Sequence, residues 1–419
     1  MAKVNITQLK AGMITAADIN TKRGQVLYEK GMVLDHGTIS RLRFYGIDEI
    51  EIEGDADPGI DKSAFGSDTV FVDDILSAEE IEKAVAAVEK TYEEKPSLAS
   101  KTIDVASPTG QKMHRSLSDP IPDGVTASPA HQQTVRSTPE FQTFQMNYAF
   151  AINETKALFK RVQAGESVTQ DEIQSIINRL YDENNTTLDM FDKLHNVRSG
   201  DDPIYTHCLD VAIISRILGK WMKFSLSDQI CLGICGMMHD VGKMQVPDSI
   251  LNKPGRLTEE ELGIMRKHTI YGFNMLKNLE LDPRVKKAAL MHHERSDGLG
   301  YPFHRTTPEV HPFSQIIAIA DVYDATTAKR SYRSALCPFE VIDTFEKEGI
   351  ARYNTQFLMT FLKNIAQTYQ NNRVILSDGR TADIAILNQH RFSRPVVALQ
   401  DGTFLDLAQY PDLTIQSVL

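Results

Sequence analysis

The segment from Asp201 to about Tyr369 constrains the fold most, because it is a long stretch of helical periodicity with few breaks. Two interruptions, around Val246–Leu257 and around Ser296–Pro312, are predicted to be loops. Shorter helical patterns precede the segment at Phe141–Gln163 and Thr169–Asn196. A run of helices of this length predicts a mainly α protein whose largest domain, residues 201–371, is all-helical. Residues 139–200 are expected to be a helical connector.

The amino-terminal part of the chain has a different pattern. Apolar residues alternate in Gly24–Tyr28 and in Asp48–Ile52, which predicts short strands, and Asp35–Phe44 has helical spacing. Residues 1–56 are therefore predicted to form a small α+β module. For residues 57–138 the sequence predicts an amphipathic helix at Asp73–Glu94, followed by a flexible linker at Pro96–Pro139 that is rich in Ser, Pro, Gly, Thr and Gln.

The carboxyl-terminal part, residues 372–419, changes character again. Short β-type runs alternate with turn residues, and Asp378-Gly379 and Asp401-Gly402 are hairpin signals. This pattern predicts a β-rich closing module.

Composition restricts the environment and the ligands. The net charge of −11 argues against binding to a nucleic acid polymer or to an anionic membrane, but not against a small anionic ligand. No apolar run approaches the ~20 residues that span a bilayer, and the first residues lack the layout of a secretory signal. With four scattered cysteines, a reducing cytoplasm is the expected location.

Histidines and aspartates concentrate in the helical segment. A lone histidine in a helical domain is usually a surface or core residue, but this set includes two doublets, and one of them follows an apolar stretch at a predicted helix end. Ligands of N and O type suit Fe, Mn, Zn or Ni, and carboxylates can bridge two metals at the spacing that favours displacement at phosphorus. The residues are His207, His239, Asp240, His268, His292, His293, Asp321 and Asp324.

Longer motifs connect these residues to a known family. The segment His292–Pro302 matches H-H-E-x-x-D-G-x-G-Y-P, and His239–Lys243 reads H-D-V-G-K. Pro247–Leu257 matches P-x-x-I-L-x-K-P-x-x-L, and Asp321–Ala325 matches D-x-x-D-A. Over about Asp201–Asn372 the chain resembles the HD-GYP phosphodiesterases, a branch of the HD-domain metallohydrolases, which cleave the bacterial second messenger cyclic di-GMP.

The resemblance implies a metal centre and a mechanism. The implied cofactors are two divalent transition metals, Fe or Mn, with Asp240 as the bridge between them. A metal-bound hydroxide is expected to attack phosphorus, and Lys243 is expected to neutralise the charge that develops on the phosphate. The implied metal ligands are His207, His239, Asp240, His268, His292, His293 and Asp321.

The resemblance also implies substrate contacts. Arg330 and Arg333 are expected to clamp phosphate or guanine edges, because a guanidinium offers a rigid bidentate fork. The Gly298–Pro302 loop, called the GYP loop below, is expected to face the ligand and partner proteins, the alternative being a plain turn that supports the histidine doublet. The full predicted set is Lys243, Lys253, Asp297, Gly298, Tyr301, Pro302, Arg330 and Arg333.

The predicted function is hydrolysis of cyclic di-GMP to linear pGpG, with further conversion to GMP left open. The alternative is a catalytically weak cyclic di-GMP sensor that acts through protein partners, bound at the GYP loop or at the amino-terminal module. Hydrolysis of another nucleotide, such as a mixed cyclic dinucleotide, is a second enzymatic alternative. A homodimer is left open.

One position bears on the number of metals. Family members with three metals have a glutamate four residues before the first histidine ligand, and that position here is Pro203. Since proline has no ligating side chain, the resemblance implies a two-metal site and pGpG as the main product. Asp202 is expected to start the helix in extended geometry rather than to line the site.

Overall fold

The computed structural model describes residues 2–5, 9, 13–20, 26–28, 30–32, 34, 42, 47, 49–52, 78–94, 138–181, 187–197, 202–327 and 336–419. Nearly all of the predicted linker Pro96–Pro139 and most of the predicted helix Asp35–Phe44 lie outside these residues. Arg330 and Arg333 also lie outside them.

Near the amino terminus the described residues form two antiparallel strand pairs. Strand β1 (Ala2–Asn5) pairs with β4 (Glu49–Ile52), and β2 (Ile19–Asn20) pairs with β3 (Val26–Tyr28). Strands β3 and β4 fall within the two segments whose alternating pattern predicts strands, so both predictions are confirmed.

Helices dominate the rest of the chain, as the periodicity predicts. They are α1 (Ala78–Glu94), α2 (Pro139–Gln163), α3 (Gln170–Asn178), α4 (Thr187–Val197), α5 (Pro203–Trp221), α6 (Leu226–Met238), α7 (Asp248–Leu251), α8 (Glu259–Arg266), α9 (His268–Leu276), α10 (Pro283–Met291), α11 (Pro312–Thr327), α12 (Pro338–Thr344), α13 (Ile350–Arg352) and α14 (Thr355–Thr368). Short 3₁₀ turns at Val241–Gln245 and Thr307–Glu309, and a π-helical turn at Phe345–Gly349, lie between them. The mainly α fold class is confirmed.

Helix α5 is the centre of the helical part. Its residues from Tyr205 to Gly219 are all buried, so the helix is surrounded by protein on every side. It packs against α6 and α11. Polar side chains fix where the neighbouring helices begin: Ser225 caps α6, and Thr258 with Glu261 forms a capping box on α8. These packed helices hold the buried part of the candidate site.

The chain closes in a five-stranded antiparallel sheet. Its strand order is β8 (Phe404–Asp406), β7 (Val396–Leu399), β6 (Thr381–Ile386), β5 (Arg373–Leu376) and β9 (Ile415–Val418). Gly379 and Gly402 have φ of 87° and 84° in the two predicted hairpin turns, a left-handed conformation that glycine adopts without strain. The β-rich tail is confirmed, and its buried face belongs to the same core as the helices.

The prediction for Asp202 is right in position and wrong in geometry. Asp202 is the residue before α5, but its φ of 52° and ψ of 54° place it in the left-handed region rather than in extended backbone. Aspartate is among the residues that tolerate this region. Its carboxylate accepts a hydrogen bond from Lys156 Nζ at 2.8 Å, which ties it to α2.

Among the described residues, no helix combines the length and the apolar character that crossing a bilayer requires.

Candidate metal centre

The structure brings all seven predicted metal ligands together in two adjoining groups. Within each group the potential ligand atoms lie within 4.8 Å of one another, and nearly all of these side chains are buried. One group is Asp240, His268, His292 and His293, and the other is His207, His239 and Asp321.

Asp240 lies between the two groups, and each of its carboxylate oxygens faces one of them. Oδ1 is 3.3 Å from His268 Nε2 and 3.8 Å from His292 Nε2. Oδ2 is 3.3 Å from His239 Nε2 and 3.6 Å from His207 Nε2. This is the placement that a carboxylate bridging two metals requires.

The ends of helices position most of the cluster. His239 caps the carboxyl end of α6, and Asp240 opens the 3₁₀ turn that follows. His268 is the first residue of α9, and His292 caps α10. Only glycine fits at Gly242 in this turn, because a Cβ there would lie 1.9 Å from the backbone oxygen of His268. The turn can therefore lie directly against α9, which brings its ligands close to those of α9.

Hydrogen bonds fix which nitrogen each histidine offers to the cluster. The Nδ1 atoms of His239, His268 and His292 lie 2.7–3.0 Å from the backbone oxygens of Gly236, Met265 and Ala288. A carbonyl oxygen only accepts, so each Nδ1 must carry the proton, and in the neutral ring Nε2 keeps its lone pair. All three rings thus present Nε2 to the cluster, as metal-binding histidines do.

His207 is oriented in the same way by a carboxylate. Its Nδ1 lies 2.7 Å from Asp324 Oδ2, and both side chains are buried. Its Nε2 points the other way, 3.0 Å from Asp321 Oδ1. Burial alone would lower the pKa of His207, but Asp321 and Asp324 raise it to about 9. Asp324 belongs to the D-x-x-D-A motif but is absent from the predicted site residues; its position one helical turn after Asp321 was the signal available.

Three of the other histidines, His268, His292 and His293, have lowered pKa values and are neutral near pH 7. Burial lowers the pKa of His268 to about 4, against the opposing charge of Asp240. Burial lowers the pKa of His293 to about 3, against Asp321. Burial also holds the pKa of His292 well below its usual range. A histidine must be neutral to ligate a metal, so these rings need no deprotonation.

The cluster fits divalent metals. Two of its buried atoms, His239 Nε2 and Asp240 Oδ1, have no hydrogen-bond partner in the described part of the chain. Leaving such an atom unsatisfied costs about 1–3 kcal/mol, and a cation at either position would be coordinated by a lone pair that is otherwise unused. A donor set of imidazole nitrogens and carboxylate oxygens suits Fe, Mn, Zn or Ni.

Lys243 places a cation in direct contact with Asp240. Its Nζ donates a hydrogen bond to Asp240 Oδ2, and its side chain is 23% exposed, so it borders both the cluster and solvent. Burial alone would raise the pKa of Asp240, but Lys243 and His239 outweigh burial and hold it well below its usual range. The carboxylate is therefore ionised.

The GYP loop contacts the cluster through Tyr301. The Tyr301 ring stacks on His293, with centroids 4.6 Å apart and 26° between the planes, and the Arg266 guanidinium lies 5.5 Å from the Tyr301 centroid. Gly300 allows this approach, because a Cβ there would lie 2.5 Å from backbone atoms of His293 and Glu294.

Glu294 anchors this loop, and it is absent from the predicted site residues. Its buried carboxylate accepts hydrogen bonds from the backbone N–H of Phe303 at 2.6 Å and of Arg305 at 2.9 Å. Burial raises the pKa of Glu294 to about 7, against the effect of these bonds. Its place in the H-H-E motif was the signal that could have identified it.

The remaining predicted substrate residues are placed less directly. Lys253 Nζ pairs with Glu261 at 2.6 Å, and Asp297 accepts a hydrogen bond from Arg295 Nε at 3.0 Å. Gly298 has a φ of 72°, and Pro302 is buried. The structure brings Lys243 and Tyr301 to the cluster and gives Lys253 and Asp297 partners of their own.

Comparisons with known proteins point to one kind of domain. Residues 168–356 match a family model described as HD domain. A cyclic di-GMP phosphodiesterase of Pseudomonas aeruginosa is 34% identical over 200 residues, which is 47% of this chain and 47% of the relative. A cyclic di-GMP phosphodiesterase of Thermotoga maritima is 38% identical over 131 residues, covering 30% of this chain and 35% of the relative.

Other relatives are named for a different cyclic dinucleotide. A 3′3′-cGAMP-specific phosphodiesterase of Vibrio cholerae is 34% identical over 167 residues, which is 40% of this chain and 39% of the relative. The chain thus spans less than half the length of each of these relatives. A solved HDG"Y"P protein from Bdellovibrio bacteriovorus aligns with 86% of this chain and 99% of its own at a TM-score of 0.42 and 14% identity, too low for any argument.

Proposed function

We propose that this chain, whose residues 168–356 match the HD-domain family model, is a metal-dependent phosphodiesterase of the HD-GYP type that hydrolyses cyclic di-GMP. The family match and the relatives' names confirm the resemblance drawn from the motifs. The observation that carries the proposal is the position of Asp240, because each of its two carboxylate oxygens faces a different group of ligands.

The proposed ligands are the seven residues of the cluster. One metal would be held by Asp240 Oδ1 with His268, His292 and His293, and the other by Asp240 Oδ2 with His207, His239 and Asp321. A pair of divalent metals supplies a water nucleophile near neutral pH and neutralises charge on the phosphoryl group.

The chain's own residues would do the rest. Lys243 borders the bridge and solvent, so its ammonium is placed to neutralise a non-bridging phosphate oxygen as negative charge develops. Tyr301 keeps the His293 ring in place by stacking on it. The proposed contacts of Arg330 and Arg333 with phosphate or guanine rest on the sequence alone.

Two metals, rather than three, fit the start of α5. Pro203 offers no ligand atom, and the carboxylate of Asp202 is bonded to Lys156. We therefore propose a two-metal site and pGpG as the main product, with iron or manganese as the metal. Anomalous diffraction at the metal edges tests the count, and three well-occupied peaks in the cluster would refute it.

The activity is tested with protein purified without oxygen and loaded with Fe²⁺ or Mn²⁺. Chromatography should show conversion of cyclic di-GMP to pGpG, and chelation should stop it. Asp240→Ala should abolish turnover while helical circular dichroism persists. The exposed substitution Asp171→Ala in α3 is the matched control and should turn over normally. Full turnover by Asp240→Ala under metal-replete conditions would overturn the assignment.

A second substrate deserves the same assay because a matched relative is named for 3′3′-cGAMP at 34% identity. Parallel reactions with both cyclic dinucleotides measure the ratio of kcat/KM values. A ratio that favours 3′3′-cGAMP would replace the proposed substrate but not the proposed chemistry. Tight binding of cyclic di-GMP without turnover would instead favour a sensor.

A further inference from the structure

Helix α1, which precedes the segment 95–137, packs against the helical part of the chain through one narrow apolar face. Ile81 and Val85 are 3% and 4% exposed, and Val88 continues the same face at half-burial. Glu82, Lys83 and Ala86 point outward and are exposed. Spacing of three and four residues places the buried side chains in one stripe, so α1 is anchored along that line.

The stripe completes a hydrophobic cluster that is separate from the main core. Its buried members are Ile81, Val85, Ile270, Phe273, Leu290, Met291 and Val310, with Val88 and Phe303 packed at its edge. Asn274 Nδ2 also donates a hydrogen bond to Glu89 Oε1 at 2.9 Å, across 185 positions of sequence. We call this set the outer cluster.

The outer cluster includes residues next to the ligands of one half of the metal centre, the half that contains His268, His292 and His293. Ile270 and Phe273 belong to α9, whose first residue is His268. Met291 directly precedes the doublet His292-His293. Phe303 directly follows Pro302 of the GYP loop, which also contacts His293 through its tyrosine.

The other half of the centre is supported differently. His207 lies within α5, His239 ends α6 and Asp321 lies within α11. Apolar residues of these three helices belong to the main core, which contains no described residue of α1. The main core also includes Leu276 of α9 and Val285 of α10, so it packs against both halves. Among the described residues, only the half at α9 and α10 therefore has the outer cluster, and with it α1, as an additional hydrophobic support.

We propose that α1 is a positioning element for one metal only, the one held by Asp240, His268, His292 and His293. This inference rests on the two-metal site proposed above. By covering the outer faces of α9 and α10, α1 keeps their ends, and so their histidines, in ligating positions. Any event that releases α1 weakens that metal and leaves the metal at His207, His239 and Asp321 in place.

The test introduces a charge under the helix in the full chain. Val85→Asp places a carboxylate in the outer cluster, and Ala86→Asp adds the same charge on the exposed face as the matched control. Each protein is stripped of metal and titrated with Mn²⁺, with binding followed by calorimetry and by electron paramagnetic resonance. Hydrogen exchange of the α1 amides reports whether the helix is released.

The unchanged chain and Ala86→Asp should bind two Mn²⁺ ions and give the spectrum of a coupled pair. Val85→Asp should bind one ion normally and the other about 10–100-fold more weakly, the loss that is typical when a group that orients a metal ligand is removed. Its spectrum should be that of isolated Mn²⁺. Combining Val85→Asp with His207→Ala, which removes a ligand of the other half, should leave only weak binding.

Equal weakening of both ions in Val85→Asp would overturn the proposal, as would unchanged binding of both when hydrogen exchange shows α1 released. If Val85→Asp loses its helical circular dichroism, Val85→Ala is judged by the same two results. Failure of the unchanged chain to bind two ions would refute the metal centre itself, and this inference with it.

Discussion

Replacing Asp324 by asparagine should weaken one of the two proposed metals without removing any ligand. Asp324 Oδ2 lies 2.7 Å from His207 Nδ1, so the carboxylate holds a proton on Nδ1 and makes Nε2 the nitrogen that gives up its proton when a metal binds. Asparagine has the same shape but no charge, and its amide can also donate a hydrogen bond to Nδ1. A donor there would favour the other tautomer, in which Nε2 carries the proton and cannot ligate.

The size of the effect follows from this contact. Loss of an outer partner of a metal-binding histidine typically costs about 10–100-fold in metal affinity. At about 1.4 kcal/mol per tenfold, this corresponds to roughly 1.4–2.8 kcal/mol. The metal held by His207, His239 and Asp321 should be the one affected, because Asp324 is hydrogen-bonded to His207, a ligand of that metal.

Calorimetric titration of Mn²⁺ into metal-stripped Asp324→Asn measures the two affinities separately. The control is Asp210→Asn, which neutralises another buried carboxylate of the same region, one that accepts a hydrogen bond from Tyr148 at 2.6 Å. Two unchanged Mn²⁺ affinities in Asp324→Asn would show that Asp324 does not set the orientation of His207. Equal losses of Mn²⁺ affinity in both variants would show that the effect is a general destabilisation of the protein.

Three further outcomes follow from the site. Lys243→Ala should lower kcat by about 10²–10³-fold with a smaller change in substrate binding, because its charge matches the transition state best; steady-state kinetics in which only KM moves would contradict this role. Gly300→Ala should lower the thermal midpoint and kcat, since its Cβ would lie 2.5 Å from backbone atoms, whereas Gly233→Ala, with neighbours no closer than 3.6 Å, should not lower kcat. Burial raises the pKa of Glu294 from 4.5 to about 7, so its ionisation opposes folding. Its stabilising contribution is complete below pH 4.5 and is lost as the pH rises through about 7. Thermal melts of metal-stripped protein should therefore show the unchanged chain losing stability relative to Glu294→Gln over that range, and a constant difference would contradict the raised pKa.

The motifs predicted which residues cluster, and the structure adds how they are held. The doublets and their neighbours identify the ligand types, but the assignment of seven ligands came from the family resemblance rather than from spacing. The contact between His207 and Asp324 spans 117 positions. No local pattern encodes such a pairing, because it is created when α5 and α11 pack side by side.

Periodicity predicted the elements better than their contacts. The stripe of α1 and the two Asp-Gly hairpins are visible in the sequence, since apolar spacing and turn residues act locally. The sequence does not show which surface packs on this stripe, because any apolar surface could bury it. Asp202 shows the same limit at a smaller scale: the proline after it predicts extended backbone, but Asp202 lies in the left-handed region, with its carboxylate bonded to Lys156.

The metal centre and the fold depend on each other. The cluster buries His239 Nε2 and Asp240 Oδ1 without hydrogen-bond partners in the described structure, at a cost of about 1–3 kcal/mol each, while the outward nitrogens of its rings are bonded. The cost is thus confined to the atoms that face the proposed metals. A metal that coordinates these two atoms would stabilise the folded chain as well as serve the chemistry. The helix ends that carry the ligands are packed against the main core, and those of α9 and α10 are also covered by α1. Metal binding and the packing of α1 therefore stabilise the same segments, so each should strengthen the other.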